Sequence, residues 1–216
     1  MRLLIVEDHI LLGEGYRQVL EEIVPKSELV IDEVRDCQSA YEILQKRDRK
    51  YDLILLDLNL PPYYSKNLES GEDLIPLIKE FHKGSKLLVV TSHSKSIILY
   101  DLLRIHQPHG LLVKSDVSRE ELRVAIEHVM NGAEFRSDAV THAMELIRSQ
   151  DGYLDFHNRQ IITLIAKGIK TKSMTKYLPL STSAIDKRKA QIKDYFLISS
   201  GSDEDILREA RKVGLI

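Results

Sequence analysis

Cysteine is almost missing from this 216-residue chain; Cys37 is the only one. A single thiol provides neither a disulfide framework nor a thiolate metal cluster within one chain. Long apolar runs are missing as well, and none approaches the ~20 residues needed to cross a bilayer. Met1-Arg2 leads straight into Leu3–Val6 and then into Glu7-Asp8-His9, which is unlike a secretory signal. These omissions predict a soluble, cytoplasmic protein with no membrane partner. There is no internal repeat and no low-complexity tract, so repeat architectures are excluded. A strong overall charge is lacking too, with a formal net charge of −2. The balance is uneven along the chain, however. Residues 151–216 carry 12 Lys/Arg against 8 Asp/Glu, whereas residues 1–150 carry 19 against 25. A basic tail behind an acidic front hints at a nucleic-acid partner for the tail.

What is present is a series of short apolar stretches, four of them ending on reactive side chains. Leu3–Val6 ends on Glu7-Asp8, Leu53–Leu56 on Asp57, Leu87–Val90 on Thr91-Ser92 and Leu111–Val113 on Lys114. Leu29–Val34 is a fifth strand, and helical spacing fills the gaps at Leu12–Ile23, Ser39–Arg47, Gly71–Phe81, Lys95–Arg104 and 119–130. Ser118 and Glu121 form a capping box at the start of the last helix. Strands alternating with helices predict one parallel α/β domain. In such a sheet the carboxyl ends of the strands share one edge, where open α/β folds bind their ligands.

Three carboxylates on that edge, Glu7, Asp8 and Asp57, would repel one another. A hard dication relieves the repulsion, and Mg²⁺ suits a site with few carboxylates and several waters. It would also neutralise an incoming phosphoryl group while Asp57 attacks as nucleophile. Lys114 can pair with a phosphoryl oxygen, and the Thr91 hydroxyl can hydrogen-bond another.

These segments carry a resemblance. Leu-Ile-Val-Glu-Asp-His at 4–9, Leu-Leu-Asp-Leu-Asn-Leu-Pro at 55–61, Val-Val-Thr-Ser at 89–92 and Leu-Leu-Val-Lys at 111–114 resemble the response-regulator receiver domain, the CheY-like fold of two-component signalling. The resemblance covers residues 1–130 and implies a five-stranded, doubly wound, flavodoxin-like domain. It implies that Asp57 accepts phosphate from a histidine kinase. It further implies Mg²⁺ held by Asp8, Asp57 and the Asn59 carbonyl, with Glu7 acting mainly through water, and phosphoryl sensing by Thr91 and Lys114. There are two departures. Leu111 stands where the family carries the Tyr or Phe that partners the switch threonine, and the stretch from Pro61 to Gly71 is longer than usual. That loop is expected to be a tolerated surface insertion; the alternative is that Tyr63 and Tyr64 shield the phosphoryl group or contact the kinase.

The tail, residues 154–216, reads as a small all-α domain with helices over His157–Lys167, Thr171–Leu178, Thr182–Phe196 and Asp203–Val213. Residues 131–153 read as a linker with room for a short helix over Asp138–Arg148. Two short helices around a tight turn suggest a helix-turn-helix. Stepping 100° per residue puts Ile185, Ile192 and Phe196 on one buried stripe. The opposite face holds Ser183, Lys187, Ala190, Gln191 and Asp194, with Asp186 at its edge. Lys187 and Gln191 suit base edges, whereas Lys172, Arg188, Lys189 and Lys193 suit phosphates. From 157 to 193 there are nine Lys/Arg and one Asp/Glu. Residues 154–198 resemble the LuxR/NarL-type helix-turn-helix, which also puts Thr182 and Ser183 at the start of the recognition helix. That resemblance implies double-stranded DNA as partner and a homodimer when active. Asp186, where the family often has Lys, either accepts from a cytosine amino group or repels phosphate.

The expected function is therefore a two-component response regulator in which phosphorylation of Asp57 controls DNA binding and transcription. It is not an enzyme beyond self-phosphorylation from small donors and self-dephosphorylation. Two alternatives keep the receiver: one works without phosphate, given Leu111, and the other has a protein- or RNA-binding tail. A third is a haloacid-dehalogenase-like phosphohydrolase. That chemistry needs an acidic residue two positions after the nucleophile, where this chain has Asn59.

Overall fold

The computed structural model describes residues 1–46, 48–148, 154–198 and 201–216. Arg47, residues 149–153 at the end of the expected linker, and Ser199-Ser200 therefore lie outside the described residues. The chain divides into two compact units, one of 1–93 with 103–140 and the other of 94–102 with 141–216.

The first unit is built on a parallel sheet of six strands, β1 (Arg2–Val6), β2 (Val30–Val34), β3 (Leu53–Asp57), β4 (Lys86–Thr91), β5 (Gly110–Val113) and β6 (Phe135–Arg136), in the order β2-β1-β3-β4-β5-β6. The first five follow the doubly wound order expected. Every residue of β3 is buried. This is the signature of a strand covered on both faces, and it explains why Leu53–Leu56 is apolar without alternation. On one face Leu3, Ile5, Leu53, Leu55, Leu88, Val90 and Leu112 pack with residues of α1 (Ile10–Ile23) and α5 (Arg119–Met130). Burying each such side chain contributes about 1.5–3 kcal/mol.

The sixth strand is a difference from the expected five. Phe135 pairs with Gly110 and Arg136 with Leu111, so the sheet continues past residue 130. Ser137 anchors the extension: its amide donates to the Leu111 carbonyl and its hydroxyl accepts from the Val113 amide, each at 3.2 Å. The edge of β5 is thereby paired, which removes a row of open backbone groups. The helix α6 (Asp138–Arg148) follows directly.

Between β2 and β3 lies α2 (Cys37–Leu44), which starts two residues earlier than expected because Asp36 caps it by accepting from the Ser39 amide at 2.7 Å. The helix before β4 opens as a 3₁₀ turn, Gly71–Leu74, and becomes α3 (Ile75–Phe81). Pro76 near its start lacks an amide that would have no partner there. The helix α4 (Ser96–His106) lies between β4 and β5, and the division between the units falls inside it.

The second unit contains α7 (Phe156–Ala166), α8 (Thr171–Met174), α9 (Thr182–Tyr195) and α10 (Asp203–Lys212). Ile161, Ile162, Met174, Leu178, Ile185, Ile192, Ile206 and Ala210 form its core. Ile97 and Tyr100 belong to the same cluster. There Arg159 is buried, lies over the Tyr100 ring at 4.6 Å and pairs with Asp101 at 3.0 Å.

Candidate phosphoryl-acceptor site and nucleic-acid face

The strand ends converge as the sheet requires. β1 and β3 are in register from Leu3↔Leu53 to Val6↔Leu56, which brings Glu7 and Asp57 level at the carboxyl edge. The acidic side chains of Glu7, Asp8 and Asp57, together with a ring nitrogen of His9, offer ligand atoms all within 4.8 Å of one another. Glu7 and Asp57 have fully buried side chains, and Lys114 lies between them, its Nζ 2.8 Å from Asp57 Oδ2 and 2.8 Å from Glu7 Oε2. Burial pulls the Lys114 amine down, but the hydrogen bonds and charges of Asp57 and Glu7 outweigh it and hold the group above its ordinary value. Lys114 therefore remains a cation, as a phosphoryl partner must.

The other expected members also lie at this edge. Asn59 donates its amide to Asp57 Oδ1 at 3.1 Å, and its side-chain amide bonds the Ser92 hydroxyl. Thr91 is fully buried, and its hydroxyl accepts from the His93 amide at 3.1 Å. Leu111 is buried in β5 and carries no polar edge. An oxygen-rich cluster of carboxylates with one counter-cation fits a hard dication.

Several members of the site were not singled out in the sequence. His9 directly follows the acid pair, and its Nδ1 is 2.6 Å from Asp8 Oδ1 and 3.2 Å from Glu7 Oε1. Asp8 first, then Glu7, raises its pKa. Adjacency was the only available signal. Tyr16 sits on the buried face of α1, where its spacing resembles that of any core residue, yet its hydroxyl reaches Glu7 Oε2 at 3.3 Å. Burial, then the Glu7 and Asp57 charges, push the phenol's pKa up, so it stays a donor.

The long loop is folded on itself. Tyr63 and Leu68 exchange backbone hydrogen bonds at 2.7 and 3.2 Å, around a 3₁₀ turn at Tyr64–Lys66, with Asn67 in the left-handed region at φ 55°. Leu68 is buried, and the Tyr63 ring meets Tyr41 of α2 edge-on at 6.0 Å. Tyr64 is 75% exposed. Gly71 then passes so close to β3 that a Cβ there would lie 2.0 Å from the Asp57 carbonyl oxygen.

Most of the expected faces of α9 are present, but Phe196, expected on the buried stripe, is its C-cap and only half-buried. Ile185 and Ile192 are fully buried, while Thr182, Ser183, Asp186, Lys187, Ala190, Gln191 and Asp194 are exposed. Lys172 on α8 is exposed too. Three of the cations expected at phosphates have partners inside their own unit. Arg188 Nη1 donates to both Asp155 oxygens at 2.8 and 2.7 Å and to Asn158 Oδ1 at 3.0 Å. Lys189 pairs with Asp203 at 2.5 Å, and Lys193 donates to the Gly201 carbonyl at 2.6 Å. Tyr177, just before α9, is 61% exposed and was not singled out.

A family model described as the response regulator receiver domain matches residues 3–127, and the chain belongs to that family. It is a response regulator of two-component signalling, a signalling protein rather than a catalyst, with a helical C-terminal region. The oxygen regulatory protein NreC of Staphylococcus haemolyticus is 24% identical over 204 residues, covering 89% of each chain. The transcriptional regulatory protein YdfI of Bacillus subtilis is 23% identical over 222 residues, covering 100% of this chain and 97% of its own. Among solved structures, RcsB from Salmonella enterica serovar Typhimurium, bound to the promoter P1flhDC with the phosphomimetic BeF3-, superposes with a TM-score of 0.66. It is 21% identical and is matched over 99% of this chain and 98% of its own. Among the described residues, no helix is long and apolar enough to cross a membrane.

Proposed function

We propose that Asp57 takes a phosphoryl group from the phosphohistidine of a kinase, and that this controls duplex DNA binding by the helical unit. The observation that carries the proposal is the fully buried Asp57 carboxylate, held 2.8 Å from a lysine that also neutralises Glu7. An Asp57 oxygen bonds to phosphorus as the P–N bond of the donor breaks. Asp8, Asp57 and the Asn59 carbonyl would hold Mg²⁺, with Glu7 acting through water. When bound, the ion supplies positive charge to the transferring group. Lys114 and the Thr91 hydroxyl then engage phosphoryl oxygens. Leu111 offers no ring edge to turn toward Thr91, so those two groups carry the response without an aromatic partner.

On the output side, Lys187 and Gln191 face outward where base edges are read, and Lys172 faces phosphate. Arg188, Lys189 and Lys193 brace α9 through Asp155, Asp203 and the Gly201 carbonyl. The promoter complex of RcsB supports this reading by similarity of fold. A second RcsB structure, of two dimers bound to two parallel DNAs, supports a homodimer as the active form.

The test is to add beryllofluoride with Mg²⁺ to wild type and Asp57→Asn, and to measure sedimentation and affinity for duplex DNA at several salt concentrations. Wild type should change in both and Asp57→Asn in neither. A wild type indifferent to the mimic refutes phosphorylation control. Preference for single-stranded RNA over duplex DNA refutes the output.

A further inference from the structure

Glu7 is held more fully than a carboxylate acting only through water requires. Its Oε1 accepts from the His9 amide at 3.2 Å, beside Asp8, and lies 2.9 Å from Lys114 Nζ. Its Oε2 points inward. Among the described residues, its partners are Lys114 Nζ at 2.8 Å and the Tyr16 hydroxyl at 3.3 Å. Phosphorylation draws Lys114 toward a new, more highly charged partner on Asp57, and a lysine has only three N–H donors to share. When it moves, Oε2 keeps one buried donor, the phenol.

A buried carboxylate oxygen left without a donor carries its full desolvation cost. With no partner at Oε2, Glu7 would rotate to share both oxygens with Asp8 and Asp57, where like charges crowd. The phenol opposes that rotation. It lies on α1, in the middle of a helical turn packed on β1 and α5, so its position is fixed by the core and not by the acidic edge.

Resting on the phosphorylation mechanism proposed above, we propose that Tyr16 is a positioning residue. Its hydroxyl anchors Glu7 Oε2 so that Oε1 alone faces the divalent cation, both before and after Lys114 transfers to the phosphoryl group. The aromatic hydroxyl acts from α1 on the acid pair, not from β5 on the switch threonine.

The test uses the full chain and Mg²⁺ itself, titrated calorimetrically with and without beryllofluoride. Tyr16→Phe keeps the ring and deletes the donor. The affinity for Mg²⁺ should fall roughly three- to tenfold, less than a hydrogen bond to a charged group is typically worth, because at 3.3 Å this one is long. The loss should be larger with beryllofluoride present, because Lys114 is then engaged elsewhere. In a Glu7→Asp background the carboxylate is one methylene shorter and withdrawn from the phenol, so Tyr16→Phe should there change the affinity less than twofold. An unchanged Mg²⁺ affinity in Tyr16→Phe overturns the proposal. So does an equal loss in the Glu7→Asp background, which would make the effect one of packing. A wild type that binds Mg²⁺ but ignores beryllofluoride sinks the phosphorylation reading itself. Those two failures are separable in one set of titrations.

Discussion

Replacing Gly71 by alanine puts one methyl group against the backbone of Asp57, the residue proposed to accept the phosphoryl group. The ideal Cβ would lie 2.0 Å from the Asp57 carbonyl oxygen, 2.9 Å from Leu58 Cα and 3.0 Å from the Asp57 carbonyl carbon. Ordinary contact begins at 3.4 Å, so the two backbone segments must separate by about 1.4 Å. Neither side yields easily, because all three atoms are backbone. Ser70 and Asp73 cap the turn reciprocally, and the Gly71 amide donates to the Leu58 carbonyl at 2.9 Å. Overpacking of this kind costs about 1–3 kcal/mol, and loss of the amide bond adds about 0.5–1.5 kcal/mol. A total near 2–4 kcal/mol should lower the melting temperature of the first unit by roughly 6–20 °C. Gly15→Ala provides the opposite control. That glycine lies inside α1 with nothing within 4 Å of its Cβ position, so the same methyl should be neutral or stabilise by up to about 1 kcal/mol. Calorimetry on both variants, with amide shifts of 57–59 recorded by NMR, checks the argument. Equal stability of the two variants, or unmoved amides beside Asp57, would refute it.

His109 gives a pH dependence of known sign. Its Nδ1 accepts the Leu87 amide at 3.0 Å, which requires an unprotonated nitrogen, and burial, then Lys86, pulls its pKa below 6.5. The unfolded chain therefore binds the proton first. Stability is fully present above pH 6.5 and is lost as the pH falls below it toward the lowered folded value. Between pH 7.5 and 5.5, wild type should lose more thermal stability than His109→Gln, and the His109 ring should titrate below 6.5 by NMR; equal losses would count against the assignment. Asp186→Ala addresses the exposed acid on α9. Weaker discrimination among sequences at unchanged non-specific affinity identifies a base reader. Uniformly tighter binding, with a steeper salt dependence, identifies phosphate repulsion instead.

The acidic edge was legible because four strands end where an apolar run meets a reactive side chain, and a parallel sheet has only one place to put such ends. The two-residue β6 was not legible. Phe135-Arg136 is too short to show alternation, and what makes it a strand is the open edge of β5, with Ser137 tied across to Leu111 and Val113. The folded loop was hidden for a similar reason. Leu68 is buried by a backbone exchange with Tyr63 and not by a helical or strand period.

The cations of the helical unit show where sequence reasoning stops and why. Lys187 and Arg188 are neighbours, equally charged, and both fit a nucleic-acid face by type. One residue of helix turns the side chain by about 100°, and that rotation leaves Lys187 exposed while it brings Arg188 onto Asp155 and Asn158. Periodicity predicted the turn correctly; the carboxylate waiting at the N-cap of α7 could not be seen, because residues 155 and 188 meet only once the helices pack. The Asp155 carboxylate registers that bond. Burial alone would push its pKa up, yet the hydrogen bonds and charge of Arg188, with the Asn158 amide, hold it below 3.8. A cation this well matched to a fixed acid is a brace for α9 first. Any phosphate it meets must compete with Asp155, whereas Lys187 meets no such competitor among the described residues.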